Sequence, residues 1–428
     1  MERTYVKDVK QGKSVLLQGW VHEIRELGKV RFLILRDMTG IIQVVAHADK
    51  CDKKTFELMM TVPRESAIAI KGKSKAESKA PGGVEVVPEK IEIIALAEHP
   101  IPIDVSDFSK TELPKRLDYR FLDFHRKRTQ AIFKIQSEIV NAFRTYFYDN
   151  GFIEMQPPEI ISSASEGGTE LFPVKYFEKE AYLAQSPQLY KQMVACSIGK
   201  TFVTCPVWRA EKHNTTRHIN EIRQLDIEMP FSDQFGVMKE QENVVKYIVQ
   251  RLLKNCKKEL ENLGVKLKVP DAKYLSYDET LKTLAKHKLE LSYGEDLSPE
   301  AERKLSEIFP DTLVFVHSWP TSLKPFYIMP KDADPKAKLS EGFDMIYKGL
   351  EISSGGQRIH LPKLLTERIK AKGLNPKNFK YYIDSFRYGA PPHGGWSIGL
   401  ERLTQVICSL DNIKEATMFP RDRDRLTP

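Results

Sequence analysis

Apolar and polar residues alternate in five short runs within the first hundred residues. The runs lie at 15–21, 30–36, 41–46, 66–73 and 84–94, and a turn signal, Asp37-Met38-Thr39-Gly40, joins the second to the third. This period of two is typical of half-buried strands. Five such strands predict a small closed barrel, such as the OB-fold that binds oligonucleotides, although a piece of a β-sandwich would show the same pattern.

The alternation stops at residue 99. Three prolines and scattered charges between 99 and 118 leave no run for a helix or a strand. We therefore predict a first domain over 1–98, a linker or hinge over 99–125 and a second domain over 126–428.

A long amphipathic helix opens the second domain, since apolar residues recur at helical spacing from 132 to 147 and Asn150-Gly151 supplies a left-handed stop. Strand-like runs at 201–208, 224–229 and 312–317 then alternate with helical runs at 235–263, 362–372 and 400–410. The connections are long and irregular, with an insertion at about 265–335 to which the sequence gives no role. This organisation favours an α+β domain, with an antiparallel β-sheet flanked by helices, over regular βαβ units.

Composition excludes several classes of protein. The chain has 428 residues, of which 41% are hydrophobic and 29% charged, too much apolar material for disorder and too long for one small module. The net charge of +8 suits a polyanionic partner without requiring one. Five cysteines without a CxxC pair indicate neither a disulfide framework nor a zinc knuckle. The absence of an apolar leader core or an 18-residue apolar stretch predicts a cytoplasmic protein without a membrane anchor.

A polar loop between two strand-like arms, VWRAEKHNTTRHINEIRQLDIEM at 207–229, is the first segment with candidate chemistry. The common nucleotide signatures are missing, so any ATP site must be of another kind. Arg209 and Arg217 in this loop present planar forks that bind phosphate oxygens bidentately, and such a pair could hold a triphosphate. A solvated surface loop is the alternative.

Two later segments carry further candidates. In GLEISSGGQRIH, Glu351 and Ser354 offer oxygen ligands to magnesium, which takes one or two protein oxygens together with phosphates. An edge strand with a salt-bridged Arg358 would have the same sequence pattern. In GAPPHGGWSIGLERL, glycines allow a ligand close to the backbone ahead of Arg402 in a helical first turn, although a packing turn is equally compatible.

Together the segments resemble the class II aminoacyl-tRNA synthetases, and among them the aspartyl-tRNA synthetases of the archaeal and eukaryotic type. The resemblance covers nearly the whole chain. GFIEMQPPEI at 151–160 is similar to the first class motif, whose helix, strand and proline, here Pro157, form a dimer interface. WRAE with its loop resembles the second motif, and GLERL the third.

The resemblance implies a homodimer that converts L-aspartate and ATP to aspartyl-adenylate, with Mg²⁺ as cofactor, and then acylates the 3′ end of tRNA(Asp). Arg209, Glu351 and Arg402 would be catalytic, and Asp344 would join Glu351 and Ser354 around the metal. Ile222 stands where related enzymes often stack phenylalanine on adenine. The implied ATP-binding residues are Arg209, Glu211, Arg217, His218, Ile219, Glu351, Gly399, Leu400, Glu401 and Arg402.

For the amino acid, the resemblance implies a mobile loop, EGGTELF, that places Glu166 over the substrate ammonium. Arg358 would clamp the side-chain carboxylate, and Asp226 would orient this arginine and Lys191, with Glu228 as a further nearby carboxylate. Asparagine would be rejected because its amide leaves both cations uncompensated. The implied aspartate-binding residues are Glu166, Gln188, Lys191, Arg209, Asp226, Ser354 and Arg358.

In the barrel domain, Arg25, Phe32 and Gln43 match positions that family members use on the anticodon. His22 and Pro81 stand where selective members resemble one another in having Trp and Lys, and members with His and Pro tend to be relaxed. We therefore predict a non-discriminating enzyme that also charges tRNA(Asn) and passes the product to a tRNA-dependent amidotransferase.

Several alternatives remain open at the level of sequence. They are a discriminating aspartyl enzyme, an asparaginyl-tRNA synthetase and an inactive synthetase-like RNA-binding protein. A synthetase-like asparagine synthetase normally lacks the barrel domain, which residues 1–98 would provide here.

Overall fold

The chain forms two compact units, Met1–Asp104 and Val105–Pro428. A computed structural model describes residues 1–106, 108–163 and 171–428 of them. In the described part, no helix has the length and apolar character needed to cross a membrane.

The first unit is a closed five-stranded barrel, which confirms the predicted fold. Around it the strands follow the order β1-β2-β3-β5-β4, and β3 pairs with β5 in parallel while the other pairs are antiparallel. A helix that the sequence pattern did not indicate, α1 at Lys53–Thr61, begins at Asp52, whose side chain accepts a hydrogen bond from the Thr55 amide. The strands are β1 Ser14–Leu27, β2 Val30–Arg36, β3 Ile41–His47, β4 Ala67–Ala76 and β5 Val84–Ala95.

Two short helices, α2 at Leu113–Asp118 and α3 at Arg120–Asp123, lie where the sequence predicted neither helix nor strand. That prediction was wrong because tertiary ion pairing stabilises them. Arg116 and Arg120 approach the fully buried Asp123 at 2.9 and 2.5 Å. Arg120 also donates to the carbonyls of Glu415 and Thr417, so the segment is fixed to the C-terminal residues of the same unit.

The second unit surrounds an eight-stranded sheet of order β12-β13-β14-β15-β16-β11-β10-β6, and β7-β9-β8 form a small separate sheet. The inner pairs are antiparallel as predicted, whereas the outermost pairs, β12 with β13 and β10 with β6, are parallel. The α+β prediction is confirmed. The strands are β6 Ile153–Glu154, β7 Ile160–Ile161, β8 Pro173–Tyr176, β9 Lys179–Leu183, β10 Thr201–Trp208, β11 Glu221–Pro230, β12 Asp271–Ser276, β13 Thr312–His317, β14 Gly342–Tyr347, β15 Leu350–Arg358 and β16 His393–Gly399.

Helices cover this sheet and bury its apolar side. The helix predicted to open the domain is α4, which packs against α6, α7 and α12. The helices are α4 Lys127–Asp149, α5 Gln188–Ile198, α6 Gln234–Asn255, α7 Lys257–Leu263, α8 Tyr277–Lys286, α9 Pro299–Ile308, α10 Pro362–Ala371, α11 Lys380–Ser385 and α12 Leu400–Cys408.

An aromatic cluster lies between α4 and the centre of the sheet. Phe143 and Phe147 on α4 contact Phe202 of β10 and Trp396 of β16, with ring centroids 5.7 to 6.3 Å apart. The Trp396 indole also donates to the Val237 carbonyl of α6 at 3.0 Å. One face of the central strands is therefore packed against helices α4 and α6, and the opposite face is left for polar side chains.

A buried carboxyl group ties α12 to β11. Glu401 is 3% exposed, and its two oxygens accept the Arg223 amide at 3.1 Å each. Burial outweighs this hydrogen bond and raises the pKa of Glu401 to about 7. The folded state therefore favours the protonated form of this side chain.

Replacing Ile139, a fully buried residue of α4, by alanine should lower the free energy of unfolding of this unit by about 2–5 kcal/mol, because a cavity remains in the core. The measurement is urea denaturation monitored by tryptophan fluorescence. Ser137→Ala, at an exposed position of the same helix, should change the midpoint very little. Equal effects of the two variants would contradict the assigned core.

Glu401→Gln should make stability less dependent on pH. Because the pKa of Glu401 is raised in the folded state, its contribution to stability is complete below its ordinary pKa of 4.5 and is lost as the pH rises to about 7. Above pH 7 the free energy of unfolding of the variant should exceed that of the wild type by up to about 3 kcal/mol, since one pKa unit corresponds to about 1.4 kcal/mol. Denaturation series from pH 4.5 to 8 measure the difference, with the exposed Glu261→Gln as control. A pH-independent difference would contradict the assignment.

Candidate active site

A cavity of about 430 Å³ opens on the polar face of the central strands. It brings the three separate sequence segments together: the loop after β10, strand β15, and the end of β16 with the start of α12. The predicted residues that line it are Gln188, Arg209, Glu211, Arg217, His218, Ile219, Asp226, Glu351, Ser354, Arg358, Gly399 and Arg402.

Strand register explains why these residues meet. Asp226 of β11 lies opposite Ser397 of β16, which lies opposite Ser354 of β15, which in turn lies opposite Asp344 of β14. Because side chains alternate across a sheet, residues paired in this way share one face. The β15 strand is interior to the sheet, so the edge-strand interpretation of GLEISSGGQRIH is wrong.

A register shift in β15 brings Glu351 to the same cavity. Residues three apart on a regular strand point to opposite faces, which would separate Glu351 from Ser354. Met345 pairs with Ser353 whereas Ile346 pairs with Glu351, so β15 holds one extra residue at this point. A bulge of this kind re-aims a side chain, and both oxygen-bearing residues line the cavity.

Two cations and two acids form a buried network at the base of the cavity, in which Glu228 Oε2 also lies 3.6 Å from Lys191 Nζ. The Arg358 guanidinium contacts Glu228 through Nε at 3.0 Å and Nη2 at 3.4 Å, and Lys191 Nζ contacts Asp226 Oδ2 at 2.8 Å. All four residues are at most 2% exposed. Burial by itself would lower the pKa of Arg358, but Glu228, together with Tyr327 and Tyr382, outweighs burial and holds this pKa above its ordinary value.

These pairs correct two expectations. Asp226 orients the lysine but not the arginine, which Glu228 holds instead. Both cations already have a carboxylate partner, so an amide substrate would not leave them uncompensated, and the charge argument against asparagine was wrong. The Nη1 group of Arg358 has no hydrogen-bond partner among the described residues, and this group remains for a ligand.

Gly395 of β16 is required beneath Glu228. A Cβ atom built on it would lie 2.3 Å from Glu228 Oε2 and 2.2 Å from the Ile227 carbonyl, far inside van der Waals contact. The sequence suggested that glycines of this segment admit a ligand. At Gly395 the structure instead shows that the missing side chain makes room for the carboxylate that holds Arg358.

Several buried polar atoms around the cavity have no hydrogen-bond partner in the described part of the chain. They are Gln188 Nε2, Arg209 Nε, Gln224 Oε1 and Asp226 Oδ1, and all four residues line the cavity. Buried polar atoms are nearly always satisfied in folded proteins. A ligand with both donors and acceptors would complete them.

Arginines occupy the other end of the cavity. Arg402 at the start of α12 donates to the Glu351 carbonyl at 3.0 Å, and Arg209 lies 3.9 Å from Glu211. The loop that carries Arg209 and Arg217 is closed by Asn220, whose amide donates to the Arg209 carbonyl at 2.7 Å. Three guanidinium groups thus share one cavity, an arrangement suited to a polyphosphate.

His218 lies in the same loop, with Nδ1 2.7 Å from the Thr215 hydroxyl. Burial, reinforced by Arg402, lowers the pKa of His218 despite the nearby Glu211. The lowered pKa favours the neutral imidazole, which can donate or accept a hydrogen bond in the cavity.

The predicted magnesium residues fit the ion only in part. Glu351 and Ser354 are oxygen donors on the cavity wall, as magnesium prefers. Burial and the neighbouring Asp344 raise the pKa of Glu351 to about 7, and a bound cation would lower it again. Asp344 does not line the cavity, and its carboxylate lies 2.5 Å from Lys324 Nζ. Within residues 1–106, 108–163 and 171–428, no three acidic, histidine or cysteine side chains form a ready-made metal cluster.

Three other predicted contacts lie outside the cavity wall. Leu400 and Glu401 do not line it, and the Glu401 carboxylate is occupied by the Arg223 amide. Lys191 lies beneath the wall, where it donates to Asp226 and to the Trp396 carbonyl. Glu166 belongs to 164–170, outside the described residues.

Sequence reasoning missed residues from the insertion. Pro325, Tyr327 and Ile328 line the cavity, and the Tyr327 ring lies 5.5 Å from the Arg358 guanidinium carbon. The surrounding sequence, Pro-Phe-Tyr, contains no polar motif that would have identified these residues from the sequence. Ile222 lines the cavity as well, so an aliphatic side chain occupies the position where related enzymes often stack phenylalanine on adenine.

On the barrel, the predicted anticodon residues share the outer face. Arg25 of β1 pairs directly with Phe32 of β2, and Gln43 of β3 is diagonal to Phe32 because Phe32 pairs with Val45. Diagonal neighbours are within reach of aromatic and long side chains. The Gln43 amide donates to Glu85 at 2.7 Å, which fixes its orientation.

The two predicted discrimination residues lie at different places on the barrel. His22 stands at a register shift of β1, and its Nδ1 is 3.2 Å from Arg36, which pairs with the buried Glu65. Pro81 opens a short 3₁₀ turn, Pro81–Gly83, that leads into β5 and contacts β3. The turn that begins at Pro81 therefore contacts the strand that carries Gln43 and leads into the strand that carries its partner, Glu85.

Comparison with known proteins agrees with this geometry. A family model described as tRNA synthetases class II (D, K and N) matches residues 112–423, and one described as OB-fold nucleic acid binding domain matches 15–94. An aspartate–tRNA(Asp/Asn) ligase of Methanocaldococcus jannaschii is 46% identical over 430 residues, covering 99% of this chain and 98% of that protein. One of Archaeoglobus fulgidus is 46% identical over 432 residues, covering all of both.

Solved structures match over the same extent. Asparaginyl-tRNA synthetase from Pyrococcus horikoshii, complexed with asparaginyl-adenylate, superimposes with a TM-score of 0.95 at 36% identity, covering all of both chains. A putative aspartyl-tRNA synthetase from Leishmania major gives a TM-score of 0.89 at 30% identity, covering 98% of this chain and 92% of that one. The chain therefore belongs to the class II tRNA synthetases and carries an OB-fold anticodon-binding domain.

Proposed function

We propose that this protein activates L-aspartate with ATP and transfers it to tRNA(Asp) and tRNA(Asn). One observation carries the proposal: a single cavity joins Arg209 and Arg402 to the buried pairs Arg358–Glu228 and Lys191–Asp226. Cations at one end suit a triphosphate, and paired charges at the other suit a small zwitterion with a second carboxylate. An inactive RNA-binding relative would have no need of this arrangement.

In the first step the α-carboxylate of aspartate attacks the α-phosphorus of ATP and pyrophosphate leaves. The carboxylate is already ionised at neutral pH, so no general base is needed. Arg209 would hold the α-phosphate and Arg402 the tail, so that catalysis rests on orientation and charge stabilisation. Glu351 and Ser354 would hold Mg²⁺, which neutralises phosphate charge when bound. The terminal adenosine hydroxyl of tRNA then takes the aspartyl group from the adenylate and releases AMP.

The preference for aspartate over asparagine rests on the relatives more than on charge. The archaeal proteins named aspartate–tRNA(Asp/Asn) ligase are 46% identical to the chain, compared with 36% for the asparaginyl enzyme of Pyrococcus. The cavity adds Arg358 Nη1 as a donor, which suits a carboxylate oxygen better than an amide nitrogen. Gln188 Nε2 and Asp226 Oδ1 would bind the substrate carboxylate and ammonium.

Relaxed use of tRNA(Asn) is supported by the printed names of the archaeal relatives and by His22 and Pro81 on the barrel. We propose that Phe32 stacks on an anticodon base while Arg25 and Gln43 contact its neighbours. Stacking on an aromatic ring is worth about 1–3 kcal/mol per base. Aspartyl-tRNA(Asn) would then be a substrate for a tRNA-dependent amidotransferase in the cytoplasm.

The first motif supports a homodimer. β6 is a two-residue strand at the edge of the large sheet and its Ile153 is 47% exposed, while Ile160, in β7 of the same motif, is 48% exposed. Exposed apolar residues next to an open sheet edge are typical of a protein interface. We propose that a second copy of the chain covers this surface.

Purified protein should catalyse ATP–pyrophosphate exchange with L-aspartate and should not do so with L-asparagine. It should also charge both tRNA(Asp) and tRNA(Asn) transcripts with aspartate, because its barrel would not distinguish the third anticodon base. Exchange with asparagine alone would instead identify an asparaginyl enzyme. Charging restricted to tRNA(Asp) would exclude a non-discriminating enzyme. A protein without any ATP–pyrophosphate exchange would instead be an inactive synthetase-like relative.

Gly395→Ala should raise the KM for aspartate at least about tenfold, since the new methyl group displaces Glu228 and with it Arg358. Gly399→Ala is the matched control. The three atoms nearest to its Cβ would be Arg402 side-chain atoms at 3.7–3.9 Å, which is ordinary van der Waals contact, so this variant should leave the KM for aspartate unchanged. Exchange kinetics at saturating ATP measure both, and an unaltered KM in Gly395→Ala would contradict the role of the Arg358–Glu228 pair.

A further inference from the structure

A carboxylate from the insertion reaches the ATP end of the cavity. Glu302 lies in the first turn of α9, is 7% exposed and forms an ion pair with Arg217, an arginine on the cavity wall. The same oxygen, Glu302 Oε2, accepts the main-chain amide of Glu351 at 2.9 Å. One side chain therefore joins the loop after β10 to the strand that carries the predicted metal residue.

Helix α9 is a rigid support for this carboxylate. Its Ala301 and Leu305 are fully buried in a cluster with Val314 of β13 and Ile346 of β14. The Ser306 hydroxyl of α9 accepts the Gly349 amide at 2.7 Å, which fixes the turn between β14 and β15. A side chain held by a packed helix restrains a loop residue more accurately than another loop could.

The amino-acid end of the cavity shows what such a carboxylate does. There Glu228 holds Arg358 and Asp226 holds Lys191, so each cation is kept in one orientation by a buried acid. Glu302 stands in the same relation to Arg217, whose side chain is otherwise long and only partly buried. An ordered guanidinium loses less conformational entropy when phosphate binds.

We propose that Glu302 is a positioning residue for ATP, which orients Arg217 toward the β- and γ-phosphates and links this arginine to the Glu351 strand. This inference deepens the proposed function and rests on it. It gives the insertion at 265–335 a place in the chemistry. Glu302 itself touches no substrate; it acts through Arg217.

The test is Glu302→Gln, which removes the charge yet keeps an oxygen for the Glu351 amide. The KM for ATP in pyrophosphate exchange should rise about tenfold, the equivalent of losing one charge-assisted hydrogen bond, while the KM for aspartate stays constant. Glu300→Gln, at an exposed position of the same helix, should behave as wild type. A purely structural role would move both KM values or the thermal transition instead.

A double-mutant cycle with Arg217→Gln tests whether Glu302 affects ATP binding through Arg217, and whether it orients this arginine toward the nucleotide or holds it away. If Glu302 acts through Arg217, adding Glu302→Gln to Arg217→Gln should weaken ATP binding less than twofold further. Additive losses, an unchanged KM for ATP, or tighter ATP binding in Glu302→Gln would each overturn the inference. Tighter binding would mean that Glu302 holds Arg217 away from the nucleotide.

Equilibrium binding of ATP, measured by calorimetry on the same variants, keeps this inference distinct from the proposed function. A wild-type protein without aspartate-dependent exchange would refute the proposed function. The ratio of ATP affinities between wild type and Glu302→Gln would still confirm or refute the role of Glu302.

Discussion

Burial of charge beneath the cavity is the constraint on which the catalytic unit depends. Arg358, Glu228, Lys191 and Asp226 are almost completely removed from water, a cost of several kcal/mol per ion that only close pairing offsets. Removing one partner leaves an unpaired charge in the interior. The neighbouring sequence follows from this requirement, since Gly395 must lack a side chain for Glu228 to fit.

Strand register converts this local pairing into a site. β11, β16 and β15 are adjacent antiparallel strands, so residues far apart in the chain come to lie in one row on one face. The aromatic cluster of Phe143, Phe147, Phe202 and Trp396 covers the opposite face and holds the strands in place. The bulge in β15 then adds Glu351 to a row that regular alternation would have excluded.

Segments without recognisable motifs complete the arrangement. The insertion supplies Tyr327 to the wall beside Arg358, Lys324 to Asp344 and Glu302 to Arg217. The C-terminal residues accept a hydrogen bond from Arg120 through the Glu415 carbonyl. They also contact the loop after β10, where the main-chain amide of Asn220 donates to the Arg421 carbonyl at 2.7 Å. The cavity is thus shaped as much by these supports as by the residues that face the substrates.

The sequence by itself determined the barrel strands, the long helix α4, the α+β class and the three segments that meet at the cavity, because each depends on local periodicity or on residue chemistry. It could not separate Asp226 from Glu228 as the partner of Arg358, since both lie on the same face of β11 and only packing decides which is in reach. The occupation of Asp344 by Lys324, the short helices around Asp123 and the contact of Glu302 with Arg217 were decided by the tertiary structure alone. Their partners are distant in the chain, and pairing between distant charges leaves no periodic trace in a sequence.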